Sequence, residues 1–307
     1  VQLGNPKLDS TELVGTWLQA GMPGELLLPV NGNWLRLNTQ PLTTIGSLLL
    51  ELYNGNQLND AVSLPPFEAA LLGDLPDLDT RQAPATAALM AQLQHFTGLQ
   101  TVPAPAGLQA ELRPYQQQGL NWLDFLHRYG FGGILADDMG LGKTLQTLAL
   151  LQHLKENNKL QQPAMIVAPT SLMGNWQHEA ARFAPALKVI TVHGPKRASA
   201  LAQLDEADLV LTTYPLLLRD HEHYARQHFS VLALDEAQAI KNPVTKAAQR
   251  VRELKAGLRL CLSGTPLENH LGELWALMDF ALPGLLGGRS TFNKAFRQPI
   301  ENHGDHG

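Results

Sequence analysis

The sequence predicts an α/β protein, a doubly wound and mostly parallel sheet with a smaller N-terminal accessory region. Three observations lead there. After Gly107, short apolar runs alternate with helical patterns, as in strands joined by crossover helices. One run leads through a glycine-rich loop into a helix, over Gly132 to Ala149. Another ends in two adjacent carboxylates, Asp235 and Glu236. The 307 residues, at ~100–200 per domain, allow two or three compact units.

Residues 1–72 form the expected accessory region. There Leu26-Leu27-Leu28-Pro29-Val30, the turn signal Asn31-Gly32 and Trp34-Leu35-Arg36-Leu37 read as a hairpin. A helix is expected around Thr43–Tyr53. Residues 73–107 read as a linker, where Pro76, Pro84, Pro103 and Pro105 flank one helical segment (Ala87, Leu89, Met90, Leu93, Phe96). Residues 108–307 carry the sheet, with strands expected at Gly133–Ala136, Met165–Ala168, Val189–Val192, Leu209–Thr212, Val231–Leu234 and Leu260–Ser263. Ligands in such sheets bind where strand C-terminal ends meet the following loops.

Composition excludes several classes. Apolar residues make up 44% and charged residues 17%, and no apolar run approaches the ~18–20 residues of a membrane span. The single cysteine, Cys261, offers neither an internal disulfide nor a thiolate zinc cluster. The net charge of −5 is unevenly placed: residues 1–100 hold three basic and nine acidic side chains, a balance of −6, while the remainder holds 20 and 19, a balance of +1. Charge therefore neither demands nor forbids a polyanionic partner. The chain opens at Val1 with no basic-then-apolar leader and is expected to be part of something longer.

The glycine loop reads Asp137-Asp138-Met139-Gly140-Leu141-Gly142-Lys143-Thr144. In such a loop the glycines let successive N–H groups point at phosphates, and the helix N-terminus adds a favourable field. Lys143 is expected to reach the β- and γ-phosphates of a triphosphate, and the Thr144 hydroxyl to bind Mg²⁺. Asp137 stands where the general pattern has its first glycine. A glycine turn before a solvated lysine is the alternative. Downstream, two carboxylates at the end of a buried strand are costly without a cation. Asp235 suits Mg²⁺ on a triphosphate, and Glu236 suits orienting and deprotonating water. An exposed acidic pair capping a helix is the alternative there.

These segments, with those between and around them, resemble the Swi/Snf family of DNA-dependent ATPases within superfamily-two helicases, over about Leu112 to Asp305. Leu112-Arg113-Pro114-Tyr115-Gln116 resembles the adenine-sensing segment, which implies Gln116 as the adenine-reading amide. DDMGLGKT is similar to the family's phosphate loop, where aspartate is usual at the first position; Asp138 replaces its usual glutamate. Ile166–Trp176 and Leu211–Tyr214 resemble DNA-contacting motifs, implying Thr170, Ser171 and Thr213 as phosphate contacts. A helix is expected over Leu172–Phe183, with Thr170-Ser171 before it placed either to cap it or to hold a phosphate. Asp235–Asn242 resembles the acidic motif in the variant with Gln238, associated with bacterial members. Leu262–Gly287 resembles the coupling motif, implying Ser263, Gly264 and Thr265, with Gln238, as the link between nucleotide and motion. Phe296–Asp305 resembles the stretch closing the first of two RecA-like lobes.

The resemblance implies an N-terminal ATPase lobe that uses ATP and Mg²⁺, partners a C-terminal RecA-like lobe, steps along double-stranded DNA and displaces or remodels DNA-bound proteins. A cytoplasmic, nucleoid-associated place follows. A strand-separating helicase for RNA or single-stranded DNA is a competing reading, and an ATP-regulated, non-catalytic DNA-binding scaffold is another. Other signals read as structure: His221, His223 and His228 as a polar helix face, Trp122, Trp176 and Trp275 as core, and Cys261 as inert packing.

Overall fold

The computed structural model describes residue 17 and residues 24–30, 33–38, 98–195 and 197–303. The chain divides into two compact units, Val1–Gln94 and His95–Gly307. In the first, β1 (Glu25–Val30) and β2 (Asn33–Asn38) pair antiparallel, with Leu26 opposite Leu37 and Leu28 opposite Leu35. This is the expected hairpin. Its turn at Asn31-Gly32, the helix expected around Thr43–Tyr53 and the linker helix lie outside the described residues.

The second unit holds all six expected strands: β3 (Gly133–Leu135), β4 (Ala164–Ala168), β5 (Val189–Thr191), β6 (Leu209–Thr213), β7 (His228–Asp235) and β8 (Lys255–Leu262). They pair in the order β3-β8-β7-β4-β6-β5, parallel throughout. Helices α1 (Pro114–Tyr129), α2 (Lys143–Glu156) and α3 (Met173–Phe183) cover one face. Beyond α4 (Arg197–Leu201), helices α5 (Tyr214–Arg219), α6 (His221–Ala225), α7 (Lys246–Glu253) and α8 (Leu271–Ala281) cover the other. The strand period of two sorts the side chains: Ile166 and Ala168 join the core with Leu123, Leu148 and Trp176, while Met165 and Val167 join Tyr224, Val251 and Phe280. Burial on both faces is why the strands read as continuous apolar runs.

Three strands begin earlier than expected, β4 by one residue at Ala164 and the other two by more. β7 starts at His228 and β8 at Lys255, where His228 pairs with Lys255 and Phe229 with Ala256. Strand pairing rather than an apolar run extends them. Ser263, expected as strand, lies beyond β8, its N–H donating to Leu135 O.

Register places the loops. Leu135 pairs with Leu262 and Leu262 with Asp235, so β3, β8 and β7 end level and their loops share one edge. Val167 pairs with Leu234 and Ala168 with Thr213, so β4 and β6 end on that edge too. No helix among the described residues is long and apolar enough to cross a membrane.

Candidate functional site

The loop after β3 turns through Gly140 and Gly142, whose φ angles of 82° and 79° lie in the left-handed region that favours glycine. Gly142 caps α2 without a side-chain bond, and no acidic residue occupies the first turn. The N–H groups there stay available to an anion. Lys143 Nζ donates to the carbonyls of Asp137 and Asp138, at 2.7 and 3.1 Å. The Asp137 carboxylate accepts from Gln146 Nε2 at 2.8 Å, and Gln146 is fully buried. The Gln116 amide donates to Leu141 O at 3.2 Å and accepts from Arg113 N at 3.0 Å; Tyr115 Oη also donates to Leu141 O. Asp138 and Met139 are exposed and Thr144 is half-buried.

Asp235 ends β7 and is 8% exposed. Its Oδ2 accepts from Trp176 Nε1 at 2.8 Å, its Oδ1 from Glu236 N at 3.0 Å, and its main-chain oxygen from the Tyr214 hydroxyl at 2.9 Å. Burial pushes its carboxyl above the ordinary value; the Trp176 and Glu236 hydrogen bonds oppose that, Glu236's charge adds to it, and Lys143's charge pulls it down. Glu236 has φ 49° and ψ 56°, a left-handed conformation that costs a non-glycine residue roughly 1–2 kcal/mol. The turn breaks strand alternation between the two acids.

A polar chain joins strand ends. Gln238 Nε2 donates to Glu236 Oε2 at 2.6 Å, Gln238 Oε1 accepts from Ser263 Oγ at 3.3 Å, and Ser263 Oγ accepts from Thr265 N at 3.2 Å. Thr265's hydroxyl turns instead to Glu268. At Gly264 an added Cβ would lie 3.2 Å from Met139 Cγ, so the segment after β8 packs directly on the glycine loop.

The residues fit a magnesium-bound triphosphate. An added Cβ at Gly140 would meet nothing within 4 Å, so the cradle is open. The Lys143 amine is held only by loop carbonyls that a phosphate can replace. Asp235 is a buried carboxylate at the strand end, held by the Trp176 indole and the Glu236 N–H, and a cation beside it would offset the cost of burying its charge. Among the described residues no group of three His, Cys, Asp or Glu side chains gathers to hold a metal. Mg²⁺ bound mainly through phosphates and one or two protein oxygens needs none.

On the β4–β6 half of the edge, Thr170 and Ser171 are exposed on a single 3₁₀ turn, Thr170–Leu172, before α3 begins at Met173. The expected helix start at Leu172 is therefore one residue early. The N-cap positions of the turn and of α3 fall at Pro169 and Leu172, so neither hydroxyl stands where a cap would. Thr213 differs. It is 1% exposed and its hydroxyl accepts from Leu216 N at 3.4 Å, capping α5, so the expected phosphate contact there meets a buried helix cap.

Among the histidines, His221 is buried with Nε2 3.2 Å from Glu253 Oε2, and His228 opens β7. The expected single helix face is not what they form. Trp176 and Trp275 are buried, Trp122 packs partly buried against the core, and the Cys261 thiol is fully buried with its pKa raised. The hydrogen bonds of Trp176, Tyr214, Tyr115 and Gln146 escaped the sequence reading. One signal was there for Trp176: a buried indole N–H needs an acceptor.

Strand order, glycine loop and acid pair together define a RecA-like α/β lobe of the helicase-like ATPase class. The chain belongs to the SNF2-related domain family, whose profile matches residues 115–307. It is 37% identical over 294 residues to the putative ATP-dependent helicase/translocase YwqA of Bacillus subtilis, covering 91% of this chain and 32% of that protein. It is 44% identical over 190 residues to the SWI/SNF-related matrix-associated actin-dependent regulator of chromatin subfamily A member 1 of Homo sapiens, covering 60% and 18%. Among solved structures it resembles the Sulfolobus solfataricus SWI2/SNF2 ATPase core in complex with dsDNA, with TM-score 0.63 and 43% identity over 67% of this chain and 43% of that one. The chain thus spans about a third or less of these two curated relatives.

Proposed function

We propose that residues 108–307 are the first ATP-binding lobe of a motor that steps along double-stranded DNA and displaces or remodels DNA-bound proteins. A second RecA-like lobe would complete its site. The observation that carries this reading is the level ending of β3, β8 and β7, which gathers Lys143, Asp235, Glu236 and Ser263 on one edge. That the Sulfolobus relative was solved with dsDNA supports the choice of nucleic acid. The bacterial relative YwqA supports a nucleoid-associated place in a bacterial cytoplasm.

In this reading Lys143 exchanges the Asp137 and Asp138 carbonyls for phosphate oxygens, while Gly140–Thr144 N–H groups line the cradle. Thr144 and Asp235 would hold Mg²⁺, which supplies neutralisation of phosphate charge. Glu236, fixed by its backbone turn and by Gln238, holds the attacking water and takes its proton at a carboxylate oxygen. Gln116 trades Leu141 O for the adenine edge. Gln238, Ser263, Gly264 and Thr265 register the state of the site next to the glycine loop. Thr170 and Ser171 hold DNA phosphates through hydroxyls and N–H groups; Thr213, as a buried cap, shapes the neighbouring loop.

The test is ATP hydrolysis by the full-length, two-lobed protein with blunt duplex DNA, single-stranded DNA and RNA at equal salt, since phosphate contacts make affinity salt-dependent. Stimulation by duplex alone is expected. Stimulation by RNA or single strands selects the strand-separating helicase, and intact cellular function of a Glu236→Gln protein selects the scaffold. Because arginine fingers contribute ~10³–10⁵ in rate to related NTPases, the present chain alone is expected to turn over ATP negligibly.

A further inference from the structure

Two aromatic side chains join the β4–β6 half of the edge to the acid pair. Trp176 lies on α3, six positions after Thr170; it is fully buried, and its indole N–H reaches Asp235 Oδ2 at 2.8 Å. Tyr214 directly follows Thr213, is 8% exposed, and its hydroxyl donates to the main-chain oxygen of the same aspartate at 2.9 Å. One donor follows β4 and the other follows β6, the strand on β4's far side from β7. Packing explains why both rings are buried. It does not explain why two polar handles from different loops choose one acceptor residue.

The Trp176 contact is a hydrogen bond to a charged group, among the stronger kinds, and it occupies an oxygen lobe of the carboxylate assigned to the metal. The Tyr214 contact fixes the backbone at the point where the chain turns into Glu236. Between Thr170 and Trp176 lie only the 3₁₀ turn and the first turn of α3, so displacement of the turn is passed on by rigid helical backbone.

We propose that Trp176 and Tyr214 are positioning residues through which DNA contact at Thr170 and Ser171 sets the placement of Asp235, and so the affinity of the site for magnesium-bound nucleotide. This rests on the assignment of nucleotide and DNA to the two halves of the edge. It assigns lobe 1 a coupling route of its own, independent of the segment after β8.

The experiment uses the full-length protein and two substitutions that stay aromatic and delete the donor: Tyr214→Phe, which keeps the ring, and Trp176→Phe, which also gives up part of the buried indole's volume. A fluorescent ATP analogue is titrated at stepped Mg²⁺ concentrations, with and without duplex DNA, alongside DNA affinity, thermal unfolding and ATP turnover. In the wild type, DNA is expected to lower the Mg²⁺ concentration needed for half-maximal nucleotide binding. Trp176→Phe is expected to remove most of that shift and to cut DNA stimulation of turnover about tenfold, the scale of one hydrogen bond to a charged group. Tyr214→Phe is expected to cut it about threefold, the scale of a neutral bond. DNA affinity measured without nucleotide stays at the wild-type value in both, while the gain in DNA affinity that magnesium-bound nucleotide gives the wild type falls with the coupling.

Folded Phe variants that keep the wild-type DNA-dependent Mg²⁺ shift overturn the inference. Should Trp176→Phe not fold, Tyr214→Phe decides by the same criterion. A wild-type protein that binds no nucleotide overturns the reading of the edge itself, and one that binds nucleotide with an affinity that ignores DNA overturns the coupling. A wild type that responds, with Phe variants that respond equally, overturns only the coupling.

Discussion

The two halves of the sheet's C-terminal edge are built differently. On the β3–β8–β7 half, the functional side chains are already engaged with one another: Lys143 with loop carbonyls, Asp137 with Gln146, Glu236 with Gln238, Gln238 with Ser263. On the β4–β6 half, Thr170 and Ser171 stand exposed on a short turn and cap nothing. The first half is preorganised, which is what chemistry on a developing charge requires. The second presents free donors and acceptors on a surface, which is enough to hold a polyanion whose affinity comes from many small contacts.

The difference can be broken from either side. The largest effect is expected at Glu236→Gln, which leaves nucleotide affinity within about threefold but lowers turnover of the full-length protein by ~10²–10⁴, the contribution of a general base; comparing binding and steady-state hydrolysis checks it. Lys143→Ala is expected to weaken nucleotide binding about ten- to a hundredfold, the equivalent of roughly 1.5–3 kcal/mol for hydrogen bonds to a charged group. Its unfolding temperature should not move, because its amine bonds only loop carbonyls, and a parallel thermal melt reports that.

On the other half, effects shrink. Replacing Thr170 and Ser171 together by alanine is expected to weaken duplex binding about threefold to tenfold, through lost neutral hydrogen bonds. Because no charge is removed, the slope of affinity against salt should stay as it was, and nucleotide binding without DNA should be unchanged. Thr213→Val sharpens the contrast within that half. Loss of a helix cap should cost about 1 kcal/mol of stability, read by denaturant unfolding, with DNA affinity unaltered once the protein is folded. Equal DNA effects at Thr170 and Thr213 would erase the distinction drawn here between an exposed hydroxyl and a buried one.

Much of this was legible in the sequence because its physics is local. A strand buried on both faces is apolar along most of its length, so β4 and the Leu209-Val210-Leu211 start of β6 announce themselves; a loop needing left-handed residues before a helix favours glycines, as at Gly140 and Gly142. The acid pair stood out because carboxylates are costly at the end of an apolar run. What stayed hidden depends on residues far apart in the chain. The start of β8 at Lys255-Ala256-Gly257 exists because β7 runs beside it. The same spacing of hydroxyls gave an exposed turn at Thr170-Ser171 and a buried cap at Thr213, and only packing separates them. Trp176 was legible as core, but its acceptor lies 59 positions away at the end of β7.

The claim on which the rest stands is that the glycine loop and the acid pair hold one magnesium-bound nucleotide between them. An equilibrium titration of a fluorescent ATP analogue into the full-length protein, with and without Mg²⁺, compared with Asp235→Asn, tests it directly. Magnesium should tighten wild-type binding about tenfold or more, as a metal bridging phosphate and carboxylate does, and the substitution should remove that gain while leaving metal-free binding intact. An identical response to Mg²⁺ in both proteins would contradict it.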